Sequence, residues 1–188
     1  LVGSEMCIRD RFMSNTRCLS DILAESGYRQ KYIIGSHSSF AGQDVFYQTH
    51  GIGKGDIIDV TKIKGALQNE GNKGWGVRDS ALYREARREV AQLAKDNAPF
   101  ALYMKTLDTH FPGYRDEKCQ AVFDDFRVVV LCADSQAADF VEWISRQDFA
   151  EKTVIVVMGD HLAMSEWAPP GFLSLIHISE PTRQAEIS

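Results

Sequence analysis

The 188-residue chain carries 21 Lys and Arg against 26 Asp and Glu, a formal net charge of −5, and 44% of its residues are hydrophobic. That length suits one ordinary domain with its own core, whereas mild acidity without a Lys/Arg cluster excludes a nucleic-acid surface, which needs a concentrated positive footprint. No apolar run reaches the roughly 20 residues of a membrane-spanning helix.

The ends differ in kind from the middle. Leu1–Arg11 (LVGSEMCIRDR) and Leu173–Ser188 (LSLIHISEPTRQAEIS) read as translated sequencing adaptor, once in each orientation. Segments of that origin carry no fold information. The expected organisation is therefore 1–11 and 173–188 as adaptor-derived ends, lying outside the core, around a natural segment 12–172 that is open at both sides. Setting aside Arg9, Arg11 and Arg183 against Glu5, Asp10, Glu180 and Glu186 moves the net charge of −5 by one unit, to −4. His177 falls in the tail and is given no role.

Within the natural segment, Cys18–Glu25 (CLSDILAE) has helical spacing and stops at Ser26-Gly27, and Lys31–Ile34 then reads as a short buried strand. Gly51–Gly74, rich in Gly and Lys, reads as a surface excursion with one candidate strand at Ile57–Val60. Asp79 is placed to cap a helix over Ser80–Lys95 that carries Leu82, Ala86, Val90 and Leu93 on one face. Phe100–Met104 is a second buried strand. Phe123, Phe126, Val130, Ala133, Ala137, Phe140 and Ile144 recur at steps of three and four, the stripe of a long helix over about Asp124–Arg146. Thr153–Met158 (TVIVVM), β-branched without polar alternation, reads as the clearest strand, with helices expected over both faces. Strands alternating with helices predict an α/β fold, a mostly parallel sheet flanked by helices.

Two of those strands run into polar segments. FALYM continues into Lys105-Thr106-Leu107-Asp108-Thr109-His110, and TVIVVM into Gly159-Asp160-His161. The carboxyl ends of parallel strands face one crevice, so His110, Asp160 and His161 are expected on the same sheet edge. Asp160 and His161 offer one hard oxygen and one imidazole, a set suited to a divalent ion such as Mn, Mg or Zn. The plainer alternative is that this pair solvates a strand end. For Asp108 a turn or cap role is favoured over catalysis, and His110 before Phe111-Pro112-Gly113 has a turn role as its alternative.

The order of CLSDILAESGY, SSFAGQDVFYQTHG, GWGVRD, PFALYMKTLDTHFPGY, CADSQAADFVEWI and TVIVVMGDHLAM resembles the sulfatase-like branch of the alkaline phosphatase superfamily, the branch of lipoteichoic acid synthase and the bacterial phosphoglycerol transferases. The nearest likeness is to transferases that decorate periplasmic glucans. The resemblance implies a partial alkaline-phosphatase-like fold, with 12–172 as part of a sulfatase-like catalytic domain. It implies metal binding by Asp160 and His161, Mn first with Mg or Zn as alternatives, and phosphate or headgroup contact by His110. The family's Thr nucleophile and its acidic metal ligand match nothing in this chain and are expected upstream, which leaves no catalytic nucleophile here and the fragment inactive by itself. The implied reaction moves a glycerophosphoryl group from phosphatidylglycerol to a glycan hydroxyl. Its implied setting is the cytoplasmic (inner) membrane, reached through N-terminal helices not in this chain, with the catalytic domain in the periplasm or extracellular space.

Departures from the family pattern limit what carries over. Where the lipoteichoic acid branch has Trp and Arg, this chain has Ala41 and Gln43, so headgroup contacts are not transferred to them. Gln43 is left between a substrate hydrogen bond and a surface role. Trp75 reads as a packing anchor, Arg78 as an exposed salt-bridging residue, and His37 and His50 as structural or exposed, without charged neighbours at ligand spacing. Cys18 reads as a buried thiol. Cys119 and Cys132 depend on where the long helix starts. From Gln120 they stand roughly 18 Å apart along the axis, beyond the about 7 Å that a bridge spans; from near Asp124 a bridge becomes possible. Two other functional classes stay open: a hydrolase of the same superfamily, acting on sulfate esters or phosphodiesters, and a non-catalytic domain that binds glycans or headgroups.

Overall fold

Arg29–Ile34 forms β1, the middle strand of a three-stranded, wholly parallel sheet in a computed structural model that describes residues 13–63, 76–96, 98–110, 112–115, 119 and 126–160. Its neighbours are β2 (Ile57–Ile58) and β3 (Phe100–Lys105), giving the order β2-β1-β3. The register sets Tyr32 beside Ile57 and Tyr103, and Ile34 beside Lys105. Among the described residues four α-helices accompany the sheet: α1 (Leu19–Glu25), α2 (Gln43–Thr49), α3 (Asp79–Leu93) and α4 (Phe126–Ser145).

The alternation of β1 sorts the core into two layers. Ile33 points to a face where Ile58, Val60, Ile63, Val77, Ala81, Leu82 and Ala86 are buried, with Leu102, Met104 and Phe140 packed against them. Tyr32 and Ile34 point to the other face, with Ile52, Ile57, Tyr47 and Tyr103. Thus α3 covers one side of the sheet and α2 contributes to the other. Lys31, on the α3 side, ion-pairs with Glu89 of α3, and Arg88 pairs with both Glu85 and Glu89, so the buried carboxylates of α3 are neutralised where they meet the sheet.

Several expectations need correction. Thr153–Met158 pairs with none of the three strands, and Val154, Val156, Val157 and Met158 are between 73% and 87% exposed. A continuous β-branched run records that a segment needs cover on both faces; it does not supply that cover, and here only Ile155, 41% exposed, is covered for the greater part. The stretch after Gly51 is more than a surface excursion, because Ile52, Ile57, Ile58, Val60 and Ile63 all enter the core; its apolar residues are too widely spaced among Gly and Lys to register as a periodic element. Asp79 opens α3 as its first residue and does not cap it from outside, since Arg78 takes the N-cap position. In α4 the early buried residues are Val128, Val129 and Cys132. Near Cys119 that face turns away from the predicted stripe through Val130 and Ala133.

The disulfide itself settles the cysteine question: Cys119 and Cys132 are bonded, with Cα atoms 5.8 Å apart. As described, α4 runs from Phe126, and the residues just before it lie outside the described ones. Gly113, at φ +90°, packs closely on this helix: a Cβ there would stand 2.9 Å from the Phe126 ring. The segments 1–11 and 173–188 lie outside the described residues, as do Trp75 and His161.

Candidate functional site

Just past the carboxyl end of β1, close backbone packing draws in the segment that leads into α3. Val77 donates its N–H to the Gly35 carbonyl at 2.9 Å. Gly76 makes that approach possible, since a Cβ on it would sit 2.1 Å from the same oxygen. The loop after β1 is then tied to the end of β2, where Asp59 accepts from the Ser38 N–H at 3.1 Å and its hydroxyl at 2.8 Å. Ala41, at φ 53°, and Gly42, at φ 68°, turn this loop into α2.

Beyond β3, the segment carrying His110 is clasped to the start of α3. The Asp79 carboxylate accepts the N–H groups of Leu107 at 2.7 Å and Asp108 at 3.2 Å, and the Asp108 carboxylate accepts the Asp79 N–H at 3.1 Å. Asp108 therefore caps α3 from a distance, in line with the cap role favoured for it, and Asp79 secures the turn in return. His110 donates its N–H to Leu107 and accepts from the Gly113 N–H, while Tyr114 donates to the Asp108 carbonyl at 2.8 Å. Arg78 finishes the clasp, with its guanidinium 3.6 Å from the Asp108 carboxylate and 4.5 Å above the Tyr114 ring. It is a half-buried brace and not an exposed ion-pairing residue. Burial first, and the neighbouring charge of Asp108 second, push the Asp79 carboxyl up to about 7, against the opposing pull of the Leu107 and Asp108 donors.

Asp160 reaches the same end of β3. Its carboxylate lies 3.0 Å from the ammonium of Lys105, the last residue of that strand, and its side chain is 56% exposed. Its charge is also felt at Tyr32, whose hydroxyl is held well above the ordinary tyrosine range by burial first, then by Tyr47 and Asp160. The Tyr32 hydroxyl donates to Gln43 Oε1 at 2.5 Å, and Gln43 Nε2 donates to the Phe40 carbonyl at 3.2 Å. Both ends of the Gln43 amide thus have partners within the fold.

Neither Lys105 nor Asp79 was read from the sequence as part of the site, Asp79 being taken for a helix cap. For Lys105 the signal was available, since a charged residue ends an apolar strand directly before TLDTH. His37 is exposed, whereas His50 is buried and has a charged neighbour after all, with Nδ1 lying 2.8 Å from Asp21. Cys18 is half-buried.

A parallel α/β sheet with polar side chains gathered beyond its strand ends defines the general class of protein. Among solved structures, it resembles an alkaline phosphatase superfamily protein from Vibrio parahaemolyticus, with a TM-score of 0.62 at 24% identity over 76% of this chain and 35% of that one. It also resembles the lipoteichoic acid synthase LtaP from Listeria monocytogenes, with a TM-score of 0.57 at 20% identity over 66% of this chain and 31% of that one. Both are likenesses of fold.

The profile of the Sulfatase family matches residues 2–177, and the chain belongs to that family. In sequence it is similar to phosphoglycerol transferase I of Escherichia fergusonii, 32% identical over 166 residues, and of Citrobacter koseri, 31% identical over 166 residues. Each alignment takes in 84% of this chain, which spans 22% of the length of either relative.

Proposed function

We propose that this chain is part of a metal-dependent phosphoglycerol transferase that moves glycerophosphoryl groups from phosphatidylglycerol to a periplasmic glucan or related glycan. The similarity to phosphoglycerol transferase I supports the reaction class. The observation that carries the site is that the His110 turn and the Asp160 carboxylate both belong to the carboxyl end of β3.

In this reading Asp160 and His161 contribute to holding a divalent ion, Mn foremost with Mg or Zn as alternatives. The Asp160 carboxylate fits that role: it is a hard, accessible oxygen donor already set against a cation, the Lys105 ammonium. When bound, such an ion lowers the pKa of an attacking hydroxyl and offsets charge on the phosphoryl oxygens. His110 contacts the phosphate or headgroup, and the Asp79–Asp108 clasp fixes the turn that presents it. The Thr nucleophile and the remaining acidic ligand belong to the parent protein outside this chain, so the chain alone binds the ion weakly and is inactive. Residues 12–172 are the partial catalytic domain. Residues 1–11 and 173–188 are adaptor-derived, although the family match takes in residues 2–11 of the first and 173–177 of the second.

Among the described residues no helix is long and apolar enough to cross a membrane. In this proposal the membrane anchor is a set of N-terminal helices of the parent protein, with the catalytic domain outside the cytoplasm. The Cys119–Cys132 disulfide supports that placement, because such bonds persist in oxidising compartments.

The test is to recover the parent reading frame, in which natural sequence should replace both end segments, and to assay the full-length protein with headgroup-labelled phosphatidylglycerol, a glucan acceptor and Mn. Labelled glycerophosphate on the glucan with release of diacylglycerol supports the proposal. Hydrolysis of a phosphodiester or sulfate ester with water as the sole acceptor would assign a hydrolase instead, and headgroup binding without turnover a non-catalytic domain.

A further inference from the structure

Where α1 begins and α2 ends, away from Lys105 and Asp160, Cys18, Asp21 and His50 each bring one ligand atom into a group whose members all lie within 4.8 Å of one another. The fold holds these residues from several sides. The His50 ring is 2% exposed and lies against Phe46 with centroids 4.7 Å apart. Its Nδ1 is 2.8 Å from Asp21 Oδ2, and that oxygen also accepts the Cys18 N–H at 2.8 Å. Gln30 of β1 donates to the Ser20 carbonyl at 2.8 Å, which fixes α1 to the sheet. Gly51, at φ +87°, lets the end of α2 press onto α1, since a Cβ there would stand 2.9 Å from that of Ala24.

We propose that Cys18, Asp21 and His50 form a zinc site that ties α1 to the end of α2, separate from the metal position at Asp160. The ligand chemistry fits: thiolate, carboxylate and imidazole are the three donor types that zinc combines, and three protein ligands leave a fourth position for water. The dimensions fit as well. Tetrahedral donors about 2.0–2.3 Å from zinc stand roughly 3.3–3.6 Å apart, so the ion enters by opening the Asp21–His50 contact slightly and drawing the others in. Cys18 and Asp21 are only half-buried, which gives the ion a path. Binding replaces the Cys18 S–H by a sulfur–zinc bond and releases that proton to solvent. A second observation favours ligation of the thiol. A chain that carries the Cys119–Cys132 disulfide matures under oxidising conditions, where a half-exposed thiol is open to oxidation and ligation protects it.

The experiment uses the whole chain in a Cys7→Ser background, so that Cys18 is the single free thiol, with the disulfide intact and adventitious metal removed by chelator. Zinc is titrated calorimetrically, and cobalt(II) is used as the optical probe. The expected result is one equivalent bound, a thiolate-to-cobalt charge-transfer band with the visible bands of a tetrahedral site, and zinc protection of Cys18 from alkylation. Cys18→Ser should abolish the charge-transfer band and weaken zinc binding at least about tenfold, the lower end of what losing even an outer-shell partner costs. Asp21→Asn should weaken binding while keeping the band. Glu142→Gln, at an exposed carboxylate of α4 paired with Arg146, should leave both unchanged. If His50→Gln fails to fold, Cys18→Ser and Asp21→Asn still decide the matter, because neither residue is fully buried. Absence of the cobalt–thiolate band, or a zinc affinity that Cys18→Ser does not change, overturns the proposal.

Discussion

Asp79 and Asp108, 29 residues apart in sequence, hold each other's backbone: the carboxylate of each accepts an N–H from the other, at 3.2 Å and 3.1 Å. The exchange joins the start of α3 to the turn that carries His110. It also sets two carboxylates in one buried place, where charge is costly.

That arrangement makes stability depend on pH with a definite sign. The Asp79 carboxyl is raised from 3.8 to about 7 by burial and by Asp108. Below about pH 4 the folded and unfolded chains both keep the proton, so the group contributes no slope. Between there and about pH 7 the folded chain alone retains it, and stability falls as pH rises, with the full penalty present above pH 7. Asp79→Asn removes this slope, and its amide, like the protonated carboxyl, has one strong acceptor oxygen for the Leu107 and Asp108 N–H groups. Urea unfolding at pH 5 and pH 8 should therefore show the variant close to the parent at pH 5, with the gap between them moving in its favour by pH 8. A gap of constant size would mean that Asp79 does not hold the raised proton.

Reducing the Cys119–Cys132 disulfide, or replacing Cys119 with Ser, should lower stability by about 3 kcal/mol, the size expected for a closed loop of roughly this length. The 13-residue separation of the two cysteines spans the entry into α4. Hydrogen exchange should accelerate first at Val128, Val129 and their neighbours. Uniform acceleration across β1 and β3 would show that the bridge stabilises the fold generally and not the helix start.

Gly76→Ala should cost about 3 kcal/mol, the upper end for overpacking, because its Cβ meets the Gly35 carbonyl oxygen and the backbone must move. Gly55→Ala, where a Cβ would find nothing within 4 Å, serves as the control and should change stability by no more than about 0.5 kcal/mol. Thermal melts of the two variants provide the comparison, and equal melting temperatures would refute the close approach.

In the full-length parent, Asp160→Ala and His161→Ala should each abolish transfer and lower metal content, whereas His110→Ala should lose turnover with metal content largely kept. Metal analysis beside the transfer assay separates the two classes. Normal turnover in Asp160→Ala would remove that residue from the site.

The parts of the fold legible in the sequence were those whose pattern repeats locally. The short apolar runs of β1 and β3 and the face of α3 through Leu82, Ala86, Val90 and Leu93 announce themselves because strand and helix periods differ. Residues whose meaning lies across the fold did not. Asp79 looks like a cap from its neighbours alone, and only the approach of Leu107 and Asp108 reveals it as the holder of another loop. His50 lacks a charged neighbour at ligand spacing in the sequence, yet α1 brings Asp21 to it. Ile52, Val60 and Ile63 looked superficial among Gly and Lys because loop residues entering a core follow no period. Thr153–Met158 misled in the opposite way, its composition stating a need for burial that the described residues do not meet.

That uncovered run has a practical consequence for anyone producing the chain. From Val154 to Met158 it is uncharged, free of proline and rich in β-branched residues, the composition from which cross-β stacks assemble. Copies that have folded their three-stranded sheet normally still offer it to one another, so concentrated samples should gather into thioflavin-positive fibres. A single Val156→Lys change, a charge of the kind natural edge strands use as a gatekeeper, should keep them dispersed.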